Sequence, residues 1–142
     1  MDIHGNRFTD AGQARQFILA GNARVTLKST QTGKHFTYRV RKAKDDDVFF
    51  VGVLKDGDNE NGYAPLGIIT KKREFKILRR CSFREYSPCW AAFDWMWTRL
   101  QANKISDAME FWHEGRCGRC GRALTDPDSI ESGFGPECIK IV

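Results

Sequence analysis

A chain of 142 residues with 41% hydrophobic and 12% aromatic side chains can build one good core, or one core and a small satellite module, and is no disordered tail. Its formal charge of +5 is uneven: residues 1–80 carry 16 Lys and Arg against 9 Asp and Glu, residues 81–142 carry 7 against 9. No apolar run approaches the roughly 18 residues of a membrane-spanning helix, and "MDIHGNRFTD" has neither the basic nor the apolar region of a secretory leader. A cytoplasmic protein with no membrane partner is therefore expected, and the basic front points weakly to a polyanion. In a reducing compartment, five cysteines read as thiols or metal ligands and not as a disulfide framework.

Taken in order, the chain first offers a short helix from Asp10 to Ala20, with Phe17, Ile18 and Leu19 as its apolar edge and Gly21-Asn22 as its stop. From Arg24 the period becomes two. "RVTLKST" and "HFTYRVRK" alternate apolar and polar residues as half-buried strands do, joined by a hairpin at Gly33. "VFFVGVL", Val48 to Leu54, is apolar nearly throughout and reads as a central strand. A polar loop at Asp56–Gly62 precedes a last hairpin, "YAPLGIIT" and "EFKIL", that turns around Lys71–Arg73. Pro65 should confine its strand to an edge or to its first residues. Turns every ten or so residues favour an antiparallel meander.

One side of this sheet is basic. His35, Arg39 and Arg41 share a strand face, Lys28 lies across the hairpin, and Lys71, Lys72 and Arg73 add three charges in a loop. Such a face can hold phosphates. The aromatics of the same strand, Phe36 and Tyr38, point to the other side, however, whereas base-stacking platforms set aromatics beside the charges. An ordinary solvated face is the competing reading.

Ser87 and Pro88 suit the N-cap and first position of a helix that runs through "SPCWAAFDWMWTRLQAN". Trp90, Phe93, Trp97 and Leu100 recur there at helical spacing for packing on the sheet, and Trp95 falls off the stripe. A second helix is predicted from Ser106 to about His113, with Met109 and Trp112 on one side. The domain boundary is expected at 83/84, with a helix and sheet before it and the helical segment and tail after.

The tail holds the densest chemistry. Cys117 and Cys120 form C-x-x-C, a spacing that lets two sulfurs chelate one ion from a tight turn, with Gly118 and Gly121 freeing the backbone. Cys138 follows, placed by Pro136 in the first turn of a short helix. Zinc takes four ligands, and His113 completes a Cys₃His set; Glu114, Asp126, Glu137, Cys89 and Cys81 compete for that place. The competing reading is a redox C-x-x-C, which leaves Cys138 without a role. Arg116, Arg119 and Arg122 can offset the site's negative charge, and phosphate binding is the competing reading of these arginines. The whole is then an α+β protein: an antiparallel meander covered by a Trp-rich helix, with a small treble-clef or ribbon-like module clipped by structural Zn²⁺.

The segment "WHEGRCGRCGRALTDPDSIESGFGPEC" resembles the C-terminal motif of a family of unknown function common in phage and prophage genomes. That pattern is C-G-x-C-G-R-x-L-T-x-P-x-S-I followed by G-x-G-P-x-C, here from Cys117 to Ile130 and from Gly133 to Cys138. The resemblance implies a phage-related origin and a metal-binding tail, and implies no reaction.

Three functions follow. The first is a module that binds nucleic acid or a nucleoprotein complex of the host. The second is an anti-defence inhibitor that binds a host protein complex. The third, an enzyme, is disfavoured, because a closed Cys₃His shell leaves zinc no position for water and no P-loop, nucleophile motif or dinucleotide turn is evident. Nothing in the sequence fixes the oligomeric state.

Overall fold

The computed structural model describes residues 7–54, 62–78, 88–106, 108–124 and 127–141. His4, Cys81, Ser87, Asp126 and most of the Asp56–Gly62 loop lie outside these. The described chain is built on one seven-stranded antiparallel sheet: β1 (Arg7–Phe8), β2 (Asn22–Ser29), β3 (His35–Lys42), β4 (Phe49–Leu54), β5 (Tyr63–Ile69), β6 (Phe75–Ile77) and β7 (Met109–His113). Its spatial order is β1-β7-β2-β3-β4-β5-β6. Strands β2 to β6 form the expected meander.

Two helices pack on one face. α1 (Ala11–Ile18) starts at Asp10, whose carboxylate accepts the Gln13 N–H at 2.8 Å, the usual way an N-cap satisfies an orphan donor. α2 (Pro88–Gln101) buries Cys89, Phe93, Met96, Trp97 and Leu100. Against them the sheet turns Val25, Leu27, Tyr38, Val40, Phe49, Val51, Val53 and Phe111, all 2% exposed or less. Each fully buried phenylalanine, such as Phe17 or Phe93, contributes about 1.5–3 kcal/mol by leaving water. The Tyr38 ring stacks at 5.1 Å on Phe93 and its hydroxyl donates to the Cys89 carbonyl at 2.6 Å, which joins sheet to helix at the centre.

Pro65 sits third in β5, beyond the reach of β6, which pairs only from Gly67 to Ile69. The register against β4 shifts between Val51 and Gly52, so Leu66 is an extra residue, a bulge whose side chain is fully buried. This agrees with the restriction expected of the proline.

The described part of the predicted helix from Ser106 to His113 is not helical. Met109 to His113 form β7, which fills the slot between β1 and β2 with Val25 opposite His113 and Thr26 opposite Trp112. The spacing of Met109 and Trp112 suggested a helix, yet the same residues also alternate. Phe111 and His113 go inward and are buried, while Glu110 and Trp112 take the other face. Pairing on both edges satisfies the backbone of β7, and this outweighs a helical run of at most two turns. The sheet therefore draws strands from both sides of 83/84.

Candidate functional site

The C-terminal module begins where β7 ends. Arg116 and Ala123 form an isolated antiparallel bridge, the Cys117 N–H donates to the Arg122 carbonyl at 2.8 Å, and the Gly121 N–H donates back to Cys117 at 2.9 Å. This closes a knuckle around the C-x-x-C. Gly121 has φ +79°, the left-handed conformation that glycine adopts without penalty. Gly118 needs no such freedom; it is required by closeness, because a Cβ there would lie 2.7 Å from the Phe17 ring. A short helix, α3 (Pro127–Ser132), follows the knuckle, and Cys138 opens a 3-10 turn to Lys140.

The fold brings Cys117, Cys120 and Cys138 together, their sulfurs all within 4.8 Å of one another. Tetrahedral ligation at a Zn–S length of about 2.3 Å sets sulfurs about 3.8 Å apart, so the trio stands close to a chelating geometry. Cys117 is fully buried and Cys138 is 7% exposed, whereas Cys120 is exposed. Burial pushes the Cys117 thiol up, but the N–H groups of Cys120, Gly135 and Arg119 and the Cys120 thiol outweigh it and bring the group down to about 7. Cys138 is displaced the other way: the Arg119 guanidinium, 3.6 Å from its sulfur, pulls it down, but burial and the two neighbouring cysteines push it up further. Three soft donors packed this tightly around one point fit a thiophilic cation.

His113 is put to a different use from the predicted ligation. Its side chain is 3% exposed, its ring lies 5.3 Å from Phe8 and 5.5 Å from Phe17, and both nitrogens face backbone. Nδ1 accepts the Gly115 N–H at 2.9 Å, so Nε2 carries the proton and donates to the Ile130 carbonyl at 2.6 Å. Among the described residues no fourth His, Cys, Asp or Glu joins the three sulfurs, and the competing Glu114, Glu137 and Cys89 do not. His113 stands at the end of β7, and the strand turns its imidazole into the core beside Phe8 and Phe17.

A second set of residues gathers on the face of the sheet away from the helices. In register across β2 and β3, Lys28 faces His35 and Arg24 faces Arg39, while Arg41 faces Phe50 of β4. Lys28, His35 and Arg41 are exposed. Four of the predicted contacts thus share one face. The Lys71–Arg73 loop does not serve it in the same way, because Lys71 pairs with Asp46 at 2.9 Å and Arg73 with Asp47 at 3.1 Å. Arg73 also accepts the Trp97 indole N–H on its carbonyl at 2.8 Å, and Lys72 is exposed between them.

The sequence reading missed the aromatics of this face. Trp112, Phe50 and Tyr63 lie among the cations, with the Arg7 guanidinium 5.9 Å from the Trp112 ring and the Arg39 guanidinium 4.7 Å from the Tyr63 ring. Phe50 is 45% exposed, and the other exposed large apolar side chains among the described residues are the aliphatic Ile139 and Ile141. Alternation in Phe111-Trp112-His113 carried the signal for Trp112, whereas Phe49-Phe50-Val51 is apolar throughout and carried none for Phe50.

Residues 107–142 match the model of a family of unknown function, DUF6011. The match covers the last strand and the cysteine module and leaves the meander outside it. No curated protein and no solved structure matches the chain. No helix among the described residues is long and apolar enough to cross a membrane.

Proposed function

We propose that this protein is a non-enzymatic binding module that recognises nucleic acid, or a complex that handles one, through the outer face of its sheet. The observation that carries the reading is the interleaving of Trp112, Phe50 and Tyr63 with Arg7, Lys28, Arg39 and Arg41 on that face. Cations hold the phosphate backbone and aromatic faces hold bases, and a surface with both at adjacent register positions suits that pair of tasks.

In this reading the cysteine trio binds Zn²⁺ and its role is structural. The ion closes the knuckle against α1 and so holds β7, which contributes Trp112 to the outer face. The phage-type origin implied by the C-terminal motif, and action in the host cytoplasm, belong to the same reading. The experiment is a gel shift at low salt with single-stranded and duplex DNA and RNA. Retardation that added salt reverses supports the proposal. Its absence at micromolar protein overturns it and leaves an inhibitor of a host protein complex as the function to pursue.

A further inference from the structure

At one end of the outer face, strands β3, β4 and β5 enclose a groove of about 380 Å³. This is within the range of about 300–1,000 Å³ typical of sites for small organic groups. Its floor is flattened by composition: Gly52 lies opposite both Arg39 and Pro65, and a Cβ on Gly52 would approach the Ala64 carbonyl to 3.3 Å. Tyr63, with the Arg39 guanidinium over its ring, makes one wall. Phe50 makes the other and is nearly half exposed although its strand is paired on both sides, an exposure at which an aromatic ring loses the benefit of burial.

Beside Phe50 stand Arg41, its register partner, and then Lys42 and Lys44, all lining the groove. Of the acids that follow in sequence, Asp46 and Asp47 are engaged by Lys71 and Arg73, while Asp45 adjoins Lys44. Among the described residues Arg41, Lys42 and Lys44 make no ion pair. A cationic rim with no direct ion pair, although Lys42 also attracts the Asp46 carboxylate, set against an exposed ring, is complementary to a ligand that is anionic along one edge and flat and aromatic along the other.

We infer that this groove takes a nucleotide of a single-stranded nucleic acid, its base laid on Phe50 and its phosphate held by Arg41, Lys42 and Lys44. The inference rests on the nucleic-acid reading above and narrows it. A duplex keeps its bases stacked on each other and offers the groove only phosphates, whereas a single strand can turn a base onto the ring.

Fluorescence anisotropy on the full chain tests this, with a labelled single-stranded oligonucleotide, its duplex and a polyglutamate peptide of similar length at low salt. The expected result is tighter binding of the single strand than of the duplex. Phe50→Ala should weaken the single strand roughly 5- to 150-fold, the range that base–aromatic stacking of about 1–3 kcal/mol supplies. Phe50→Tyr should restore most of the loss, and Lys44→Glu, in a loop where folding is not at stake, should weaken binding with Phe50 intact. Duplex binding equal to single-strand binding, with Phe50→Ala silent, overturns the groove and leaves the wider reading standing. Polyglutamate binding as tightly as the oligonucleotide also overturns it. No binding of either nucleic acid removes both.

Discussion

Gly118 and Phe17 are in such close contact that a methyl group added to Gly118 would lie 2.7 Å from two carbons of the phenylalanine ring. The same ring touches Phe134 at 5.8 Å and His113 at 5.5 Å, and the Gly118 N–H donates to the Gly133 carbonyl at 2.9 Å. Phe17 is therefore the surface against which the knuckle, α3 and the end of β7 all close. Gly118→Ala should cost about 1–3 kcal/mol, the usual penalty of overpacking a filled core. A denaturant melt reads the loss. Metal content should stay stoichiometric, because the sulfurs are not moved by the substitution itself.

His113 and Cys138 should separate cleanly by metal analysis. Cys138→Ser removes a sulfur from the trio and should abolish tight zinc binding. His113→Phe should retain one zinc per chain, since the imidazole serves the Gly115 N–H and the Ile130 carbonyl. It should still lose stability, by about 1–3 kcal/mol for buried groups left without partners. Loss of zinc in His113→Phe with the fold otherwise retained would show that the imidazole is a ligand after all.

Chelation should loosen the module together with its support and leave the meander folded. Cys117, Phe134 and Cys138 are part of the same buried core as Phe17 and Phe111. Hydrogen exchange after metal removal should therefore rise throughout residues 114–141 and in α1, and stay low at Val25, Val40 and Val51. Uniform loss of protection would mean that the ion holds the whole fold.

Tyr38 gives an alkaline limit. Burial, and next the nearby Cys89 thiol, push its phenol well above its ordinary range. A group whose folded pKa is raised stabilises the fold fully below its unfolded value of about 10 and loses that contribution as pH rises beyond it. Stability should thus fall above pH ~10, and phenolate absorbance from Tyr38 should appear only with unfolding. Tyr38→Phe should flatten that part of the profile and cost about 1 kcal/mol at neutral pH for its hydrogen bond to the Cys89 carbonyl.

The Lys71–Arg73 loop should matter less for binding than its three charges suggest. The Asp46 carboxyl is held below its ordinary value chiefly by its hydrogen bond to Lys71. A carboxyl lowered in this way keeps its partner above its ordinary pKa and loses it only in acid. Lys71→Gln should therefore change nucleic-acid affinity less than twofold at neutral pH, whereas Arg41→Gln should weaken it severalfold. Equal effects would place the phosphate path over the loop.

The meander was legible because β2 and β3 alternate cleanly, β4 is an apolar run of strand length, and the turns carry glycine, as at Gly33, or charged loops. The knuckle was legible because C-x-x-C spacing and flanking glycines leave few alternatives. What failed was residues 106–113, where a spacing of three and a spacing of two coexist in "MEFWH" and only the vacant slot between β1 and β2 decides. That one error moved His113 from the predicted metal shell into the core and hid Trp112 from the basic face. Phe50 was hidden differently. "VFFVGVL" reads as buried on both sides, and nothing local reveals that one of its phenylalanines faces outward beside Arg41.

The outer-face account is tested most directly by the salt dependence of single-strand binding. With Lys28, Arg41, Lys42 and Lys44 each neutralising one phosphate, the logarithm of affinity should fall against the logarithm of salt with a slope of about −3, at roughly −0.7 per contact. Arg41→Gln should make that slope shallower by about 0.7. Affinity indifferent to salt, or a slope that Arg41→Gln leaves untouched, would contradict it.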